Sequence, residues 1–278
     1  MDDAHAASWS HPTSLSDLPL VAFDIGVAHV ARVYNYWLGG KDHFAADREA
    51  AELFRQSYPD IHVAVRAQRA FLARAVRHLA VEQGIRQFLD IGTGLPSASN
   101  THEVAQEVAP ESRIVYVDND PVVLAHARAL LVGDPRGSTA YIDADLRDTG
   151  EILQTAAETL DFRQPIAVML FGILQCIPDT DDPASIVRRL VDAVPSGSCV
   201  VISHPASDIL AEQMGPAARR MNALMATPIT LRSRAQAARF FDGLELLPPG
   251  LVQAHRWRAP VPDPDRDIPN YGAIARKP

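Results

Sequence analysis

The sequence predicts an α/β fold, a mainly parallel sheet covered by helices, and three observations carry that expectation. From residue 85 onward, short apolar runs alternate with amphipathic stretches. The first of these runs, Phe88-Leu89-Asp90-Ile91, opens directly into Gly92-Thr93-Gly94. The next two runs lead into acids, Asp118 and Asp145. Together these features describe the carboxyl edge of an open sheet, which is where such sheets bind ligands.

Residues 1–19 have no clear period and contain Pro12 and Pro19, which reads as a flexible lead-in. Residues 20–84 read as an N-terminal helical cap. Within it, Tyr34-Asn35-Tyr36-Trp37-Leu38 runs into Gly39-Gly40-Lys41-Asp42-His43. Paired glycines break a helix and let backbone approach a ligand. Asp60 is placed to cap a further helix in which Ile61, Val65, Leu72, Val76 and Leu79 recur at near-helical spacing, with Gly84 as its terminator. Residues 85–278 then alternate. Strands are expected near 87–91, 113–117, 139–143, 165–171 and 198–203, and helices near 99–108, 121–132, 149–160, 183–194 and 208–225. Runs 244–252 and 271–275 are candidate closing strands.

At 278 residues, 47% hydrophobic and 22% charged, the chain suits one large domain with a helical extension. Its formal charge of -8 supplies no broad basic surface for nucleic-acid phosphates, so no nucleic-acid partner is expected. The two cysteines, Cys176 and Cys199, lack the spacing of a disulfide framework or a zinc site. There is no basic head followed by an apolar stretch, and no run long enough to span a bilayer. No membrane partner is therefore expected, and the expected location is cytoplasmic.

Glycines after a strand admit the main chain to a ligand without side-chain obstruction. Asp118 ends an apolar run about two dozen residues past Gly94, the spacing of a ribose ligand whose carboxylate accepts from both hydroxyls. Asp145 is placed to accept from an exocyclic amine of adenine, while Leu146 offers a backbone amide. A dinucleotide site commonly has a third glycine where this chain has Ser97, which weakens an NAD(P)-dependent oxidoreductase reading. His102-Glu103-Val104-Ala105-Gln106 resembles a zinc-protease helix, but Gln106 replaces the second histidine, and no metal is expected.

Several stretches resemble a bacterial, largely actinobacterial, family of S-adenosyl methyltransferases (Methyltransf_19, formerly DUF574) within the class I superfamily. They are Ala31 through His43, Gln87 through Pro96, Val115-Tyr116-Val117-Asp118-Asn119-Asp120-Pro121, His102 through Gln106, and the ending Tyr271 through Lys277. The resemblance covers nearly everything after residue 20. It implies a Rossmann-like fold with a seven-stranded, mainly parallel sheet and a reversed last strand, and S-adenosyl-L-methionine as cofactor. It implies a cofactor loop of Asp90, Gly92, Thr93 and Gly94, with Asp118 and Asn119 on the ribose and adenine side and Asp145 with Leu146 at the adenine. The Tyr-Asn-Tyr and Gly-Gly-Lys-Asp-His residues would form a cap over the cofactor. Two positions depart from the family pattern. Gln68 stands where an asparagine precedes Arg69, and Gln175-Cys176 stands where a His-His pair precedes Ile177-Pro178-Asp179.

The expected function is methyl transfer by direct displacement to a small-molecule acceptor. Tyr36, His43 and His102 are candidates to deprotonate that acceptor, and Gln175 is a candidate to orient it. His204-Pro205, ending the fifth strand, is placed to border the acceptor cavity. A non-catalytic regulator that binds S-adenosylmethionine or its demethylated product is the alternative from another class.

Overall fold

The computed structural model describes residues 24–130, 133–261, 263 and 265–278. The lead-in expected over 1–19 lies outside them.

Helices α1 (Val30–Leu38) and α2 (Ala45–Ser57) are separated at the paired glycines, and α3 (Ile61–Val81) leads to the sheet. Asp60 precedes α3, but its side chain makes no capping bond; its carbonyl accepts from Val63 and Ala64 instead. The alternating part follows as β1 (Gln87–Ile91), α4 (Thr101–Val108), β2 (Arg113–Asp118), α5 (Pro121–Leu130), β3 (Ser138–Asp143), α6 (Thr149–Ala156), β4 (Ala167–Phe171), α7 (Pro183–Ala193) and β5 (Cys199–Pro205). Then come α8 (Ala211–Asn222), α9 (Arg234–Ala238), β6 (Glu245–Leu246), β7 (Val252–Gln253) and β8 (Asn270–Arg276).

Strands lie in the order β3-β2-β1-β4-β5-β8-β6, with β1 to β5 parallel and β8 antiparallel to β5. The class I architecture expected from the sequence is present. The closing strand expected over 244–252 is split, so the described sheet has eight strands rather than seven. Pro248-Pro249-Gly250 supplies no amide at two consecutive positions, which ends β6. The short β7 then resumes the same edge of β8, the opposite edge being occupied by β5 along its length.

Period-two alternation sends Leu89, Val115, Val168 and Val200 to one face of the sheet, against Ile152 of α6 and Leu190 of α7. Phe88, Ile114, Met169 and Val201 go to the other, against Phe71 and Leu79 of α3 and Val104 of α4. A separate apolar cluster joins α1, α2 and the first half of α3 to α8, through Val33, Phe54, Val65, Met214 and Met221. The helix expected over 208–225 thus belongs to the cap's packing, although it follows the fifth strand. No helix of the described residues is long and apolar enough to cross a membrane.

Candidate functional site

The turn after β1 is built around two residues in the left-handed region, Gly92 (φ 75°) and Gly94 (φ 68°). Amides of Gly92 and Thr93 donate to the Val117 carbonyl (2.8 and 3.2 Å), and Thr93 Oγ1 donates to the Asp90 carbonyl (3.1 Å). A Cβ on Gly92 would come within 2.6 Å of Ile173 Cβ, whereas one on Gly94 would meet nothing within 4 Å. Glycine is therefore required at Gly92 for packing and at Gly94 for conformation alone.

Asp118, at the end of β2, accepts from the Gly94 amide (Oδ2, 2.8 Å) and the Asp120 amide (Oδ1, 3.0 Å). Burial pushes its carboxyl up, against these two amides and the charge of His29. Asp90 is also buried, and Thr101 Oγ1 donates to its Oδ2 at 2.6 Å. Burial raises Asp90 to about 6. Beyond β3, Asp145 accepts from Asn119 Nδ2 (3.1 Å) and the Arg147 amide (2.8 Å), and Arg147 Nε reaches Asp181 at 2.8 Å.

These groups border one cavity of about 1450 Å³, counting the space open at its mouth. Asp90, Gly92, Thr93, Gly94, Asp118, Asn119 and Asp145 all line it. Leu146 does not: its side chain is packed in the core, which leaves only its backbone to face a ligand. The N-terminal helices and α8 line the cavity too, through Tyr34 and Trp37 of α1, Phe54 of α2 and Met221 of α8.

Of the candidate catalytic residues only Gln175 lies on the cavity. Tyr36 donates to Glu52 Oε1 (2.8 Å) and meets the His43 ring edge-on at 5.0 Å, away from the cavity. His43 is held between the Gly40 carbonyl and Arg48 (both 3.2 Å). His102 is buried behind the sheet, its Nδ1 2.8 Å from Tyr116 Oη, and burial lowers its pKa. All three are therefore unplaced for proton transfer to an acceptor. The Gly39 to His43 segment does not line the cavity either. Gly39 is the left-handed end of α1 (φ 84°), and a Cβ on Gly40 would collide with the Asn35 side chain, which accepts from the Asp42 amide at 3.0 Å. The motif is a tight helix exit rather than a ligand contact. Gln106, in the zinc-like helix, bonds to Ser112 and Asp134. No group of three or more metal-ligating side chains occurs among the described residues. Pro205 borders the cavity, but His204 is buried, with Nε2 2.9 Å from Arg232.

Sequence reasoning missed Arg69, His29 and Asn270, which also line the cavity. Arg69 donates to the carbonyls of Ala98 and Ser99 (both 3.0 Å), while its Nε is buried without a partner. Polar residues aligned with no motif carry no local signal; only the fold brings them together.

A reversed strand seated beside β5 and a glycine turn after β1 give the Rossmann-like architecture of the class I methyltransferases. Solved structures bear this out. A DUF574 family protein from Streptomyces avermitilis is 46% identical, with 92% of this chain and 100% of that one covered and a TM-score of 0.88. A protein from Thermobifida fusca is 39% identical over 91% and 96% of the two chains, with a TM-score of 0.84. The chain belongs to the S-adenosyl methyltransferase family, whose model matches residues 19–278. An O-methyltransferase family protein from Burkholderia thailandensis shares the fold at 15% identity, with 84% of this chain and 59% of that one covered and a TM-score of 0.52. No curated protein matches in sequence. Family membership makes the chain an enzyme that uses S-adenosylmethionine, in place of the oxidoreductase and non-catalytic readings.

Proposed function

We propose that this methyltransferase works in the cytoplasm of an actinobacterium on a small-molecule acceptor, with S-adenosylmethionine held along the ends of β1, β2 and β3. The observation that supports this most is the meeting in one cavity of Asp90, Asp118 and Asp145 with a turn that leaves open space beside Gly94. Asp118 keeps acceptor capacity beyond its two amide bonds and takes the ribose hydroxyls. Asn119, Asp145 and the Leu146 amide hold the adenine. Arg69, a cation with a buried unpartnered Nε, takes the methionine carboxylate. A bacterial source accords with relatives from Streptomyces and Thermobifida, both actinobacteria.

S-adenosylmethionine supplies a methyl group already activated on sulfur. What remains for the protein is to align the acceptor in line with that methyl and keep water out. The apolar walls under the cap suit both tasks. The net negative charge argues against a nucleic-acid acceptor.

Calorimetric titration with S-adenosylmethionine, S-adenosylhomocysteine and NAD tests the cofactor assignment. Saturable binding of the two sulfur nucleotides is expected, weakened about tenfold or more by Asp118→Ala. An unchanged affinity in that variant would remove Asp118 from the site. Methyl-labelled cofactor incubated with cell extract should label the small-molecule fraction; label confined to protein or RNA would overturn the acceptor class.

A further inference from the structure

We propose that the chamber under the cap binds an uncharged, hydroxylated aromatic acceptor, anchored by hydrogen bonds donated to Gln175 Oε1 and Asn270 Oδ1. This deepens the function proposed above and rests on it.

Both side chains line the cavity and are more than nine-tenths buried, at 9% and 8% exposed. Both amide oxygens are buried with no hydrogen-bond partner in the protein. A buried acceptor left unpaired is unfavourable, and a ligand that donates to it recovers the loss. Gln175 follows β4, and Asn270 opens β8 opposite Pro205 at the end of β5. The two oxygens thus lie across the glycine turn from Asp118 and Asp145, on the side left to the acceptor.

The walls there are Tyr34, Trp37, Phe54, Tyr58, Met214 and Met221. None carries a charge, and Arg69, whose charge acts on Tyr34, is assigned above to the methionine carboxylate, so an ionised acceptor among them would be desolvated without a counter-ion of its own. Aromatic and thioether walls favour a flat ring. Two orphaned carbonyl oxygens select hydroxyl donors on that ring rather than carboxylates, which only accept. Gln68 of α3, which also lines the cavity, is already committed through Nε2 to Ser203 Oγ at 2.7 Å, beside Gly172.

The full chain, saturated with S-adenosylhomocysteine, is titrated with 2,7-dihydroxynaphthalene and, in parallel, with naphthalene-2-carboxylate. The diol is expected to bind saturably and the carboxylate about tenfold more weakly or not at all. Gln175→Leu and Asn270→Leu should each weaken the diol about tenfold while S-adenosylhomocysteine affinity holds. Asn270→Asp, which keeps the shape of the side chain and an oxygen that accepts, should still bind both the diol and the nucleotide, and it guards against a fold lost in the Asn270→Leu variant. Nucleotide binding without diol binding, tighter binding of the carboxylate, or a diol affinity untouched by both leucine variants would overturn this inference and leave the proposed function standing. Failure of the wild-type chain to bind the nucleotide would overturn both.

Discussion

His29 Nδ1 lies 2.8 Å from Asp120 Oδ2, tying the residue that starts α1 to the turn just beyond Asp118. Nδ1 also faces the Ala31 amide, at 3.4 Å. Burial alone would raise Asp120, yet the bond and charge of His29, with the Val122 amide and Arg32, hold it below the usual carboxylate range. Arg32 stands between Asp120 (3.6 Å) and the fully buried Asp47 (3.5 Å), and the His29 amide donates to Asp47 at 2.9 Å. This cluster seats the cap on the nucleotide side of the cavity. His29→Ala should therefore weaken S-adenosylmethionine binding about tenfold and lower stability by about 1–2 kcal/mol, read by calorimetry and urea unfolding. An unchanged dissociation constant would mean that the cap is seated elsewhere.

The two glycines of the turn should fail differently. Gly92→Ala collides with Ile173 and occupies a positive φ, so a loss of about 2–4 kcal/mol is expected, partly restored by adding Ile173→Ala. Gly94→Ala has only its φ to contend with, at about 1 kcal/mol. Its methyl group would stand in the open space assigned to the nucleotide, so affinity should fall more than stability. Equal melting temperatures for the two variants would contradict the packing assigned to Ile173.

Asp90 sets a pH dependence with a definite sign. Its folded value of about 6 exceeds the ordinary carboxylate value, so its contribution to stability is full below about 4 and is lost as pH rises through about 6. Asp90→Asn should gain on wild type by on the order of 3 kcal/mol between about pH 4 and pH 7.5. His204, pushed down to about 3 by burial, works in the opposite direction over the acid range. It is common to both proteins and cancels in their difference. A difference flat with pH would show that Asp90 is ionised throughout.

Tyr36→Phe and His43→Ala should leave kcat within a factor of about two, since neither side chain reaches the cavity and surface changes of this kind cost little. A hundredfold loss in either variant would require a closed state in which α1 turns those groups inward.

The parallel half of the sheet was legible because its signals are local: an apolar run, a glycine turn, an acid at the next strand end. Asp118 and the Gly92–Gly94 turn could be found that way. The cap's fourth helix could not, because α8 has the same amphipathic pattern as a helix that covers the sheet, and only Met214 and Met221 packed beside Phe54 distinguish it. Candidates chosen by side-chain chemistry, such as His43 and His102, lie off the cavity because helical phase and sheet face decide which way a side chain points. Gln175 and Asn270 converge from β4 and β8 across nearly a hundred residues of sequence, a meeting that no local pattern encodes.

The cap's dependence on α8 also bears on how the chain is made. Val33, Ala50 and Phe54 emerge from the ribosome long before Met214 and Met221, the residues that bury them. Until β5 is complete and α8 has followed it, the N-terminal helices have an uncovered apolar face, the kind of surface that chaperones hold. The nascent protein thus completes strands β1 to β5 before it can roof the cavity at their ends.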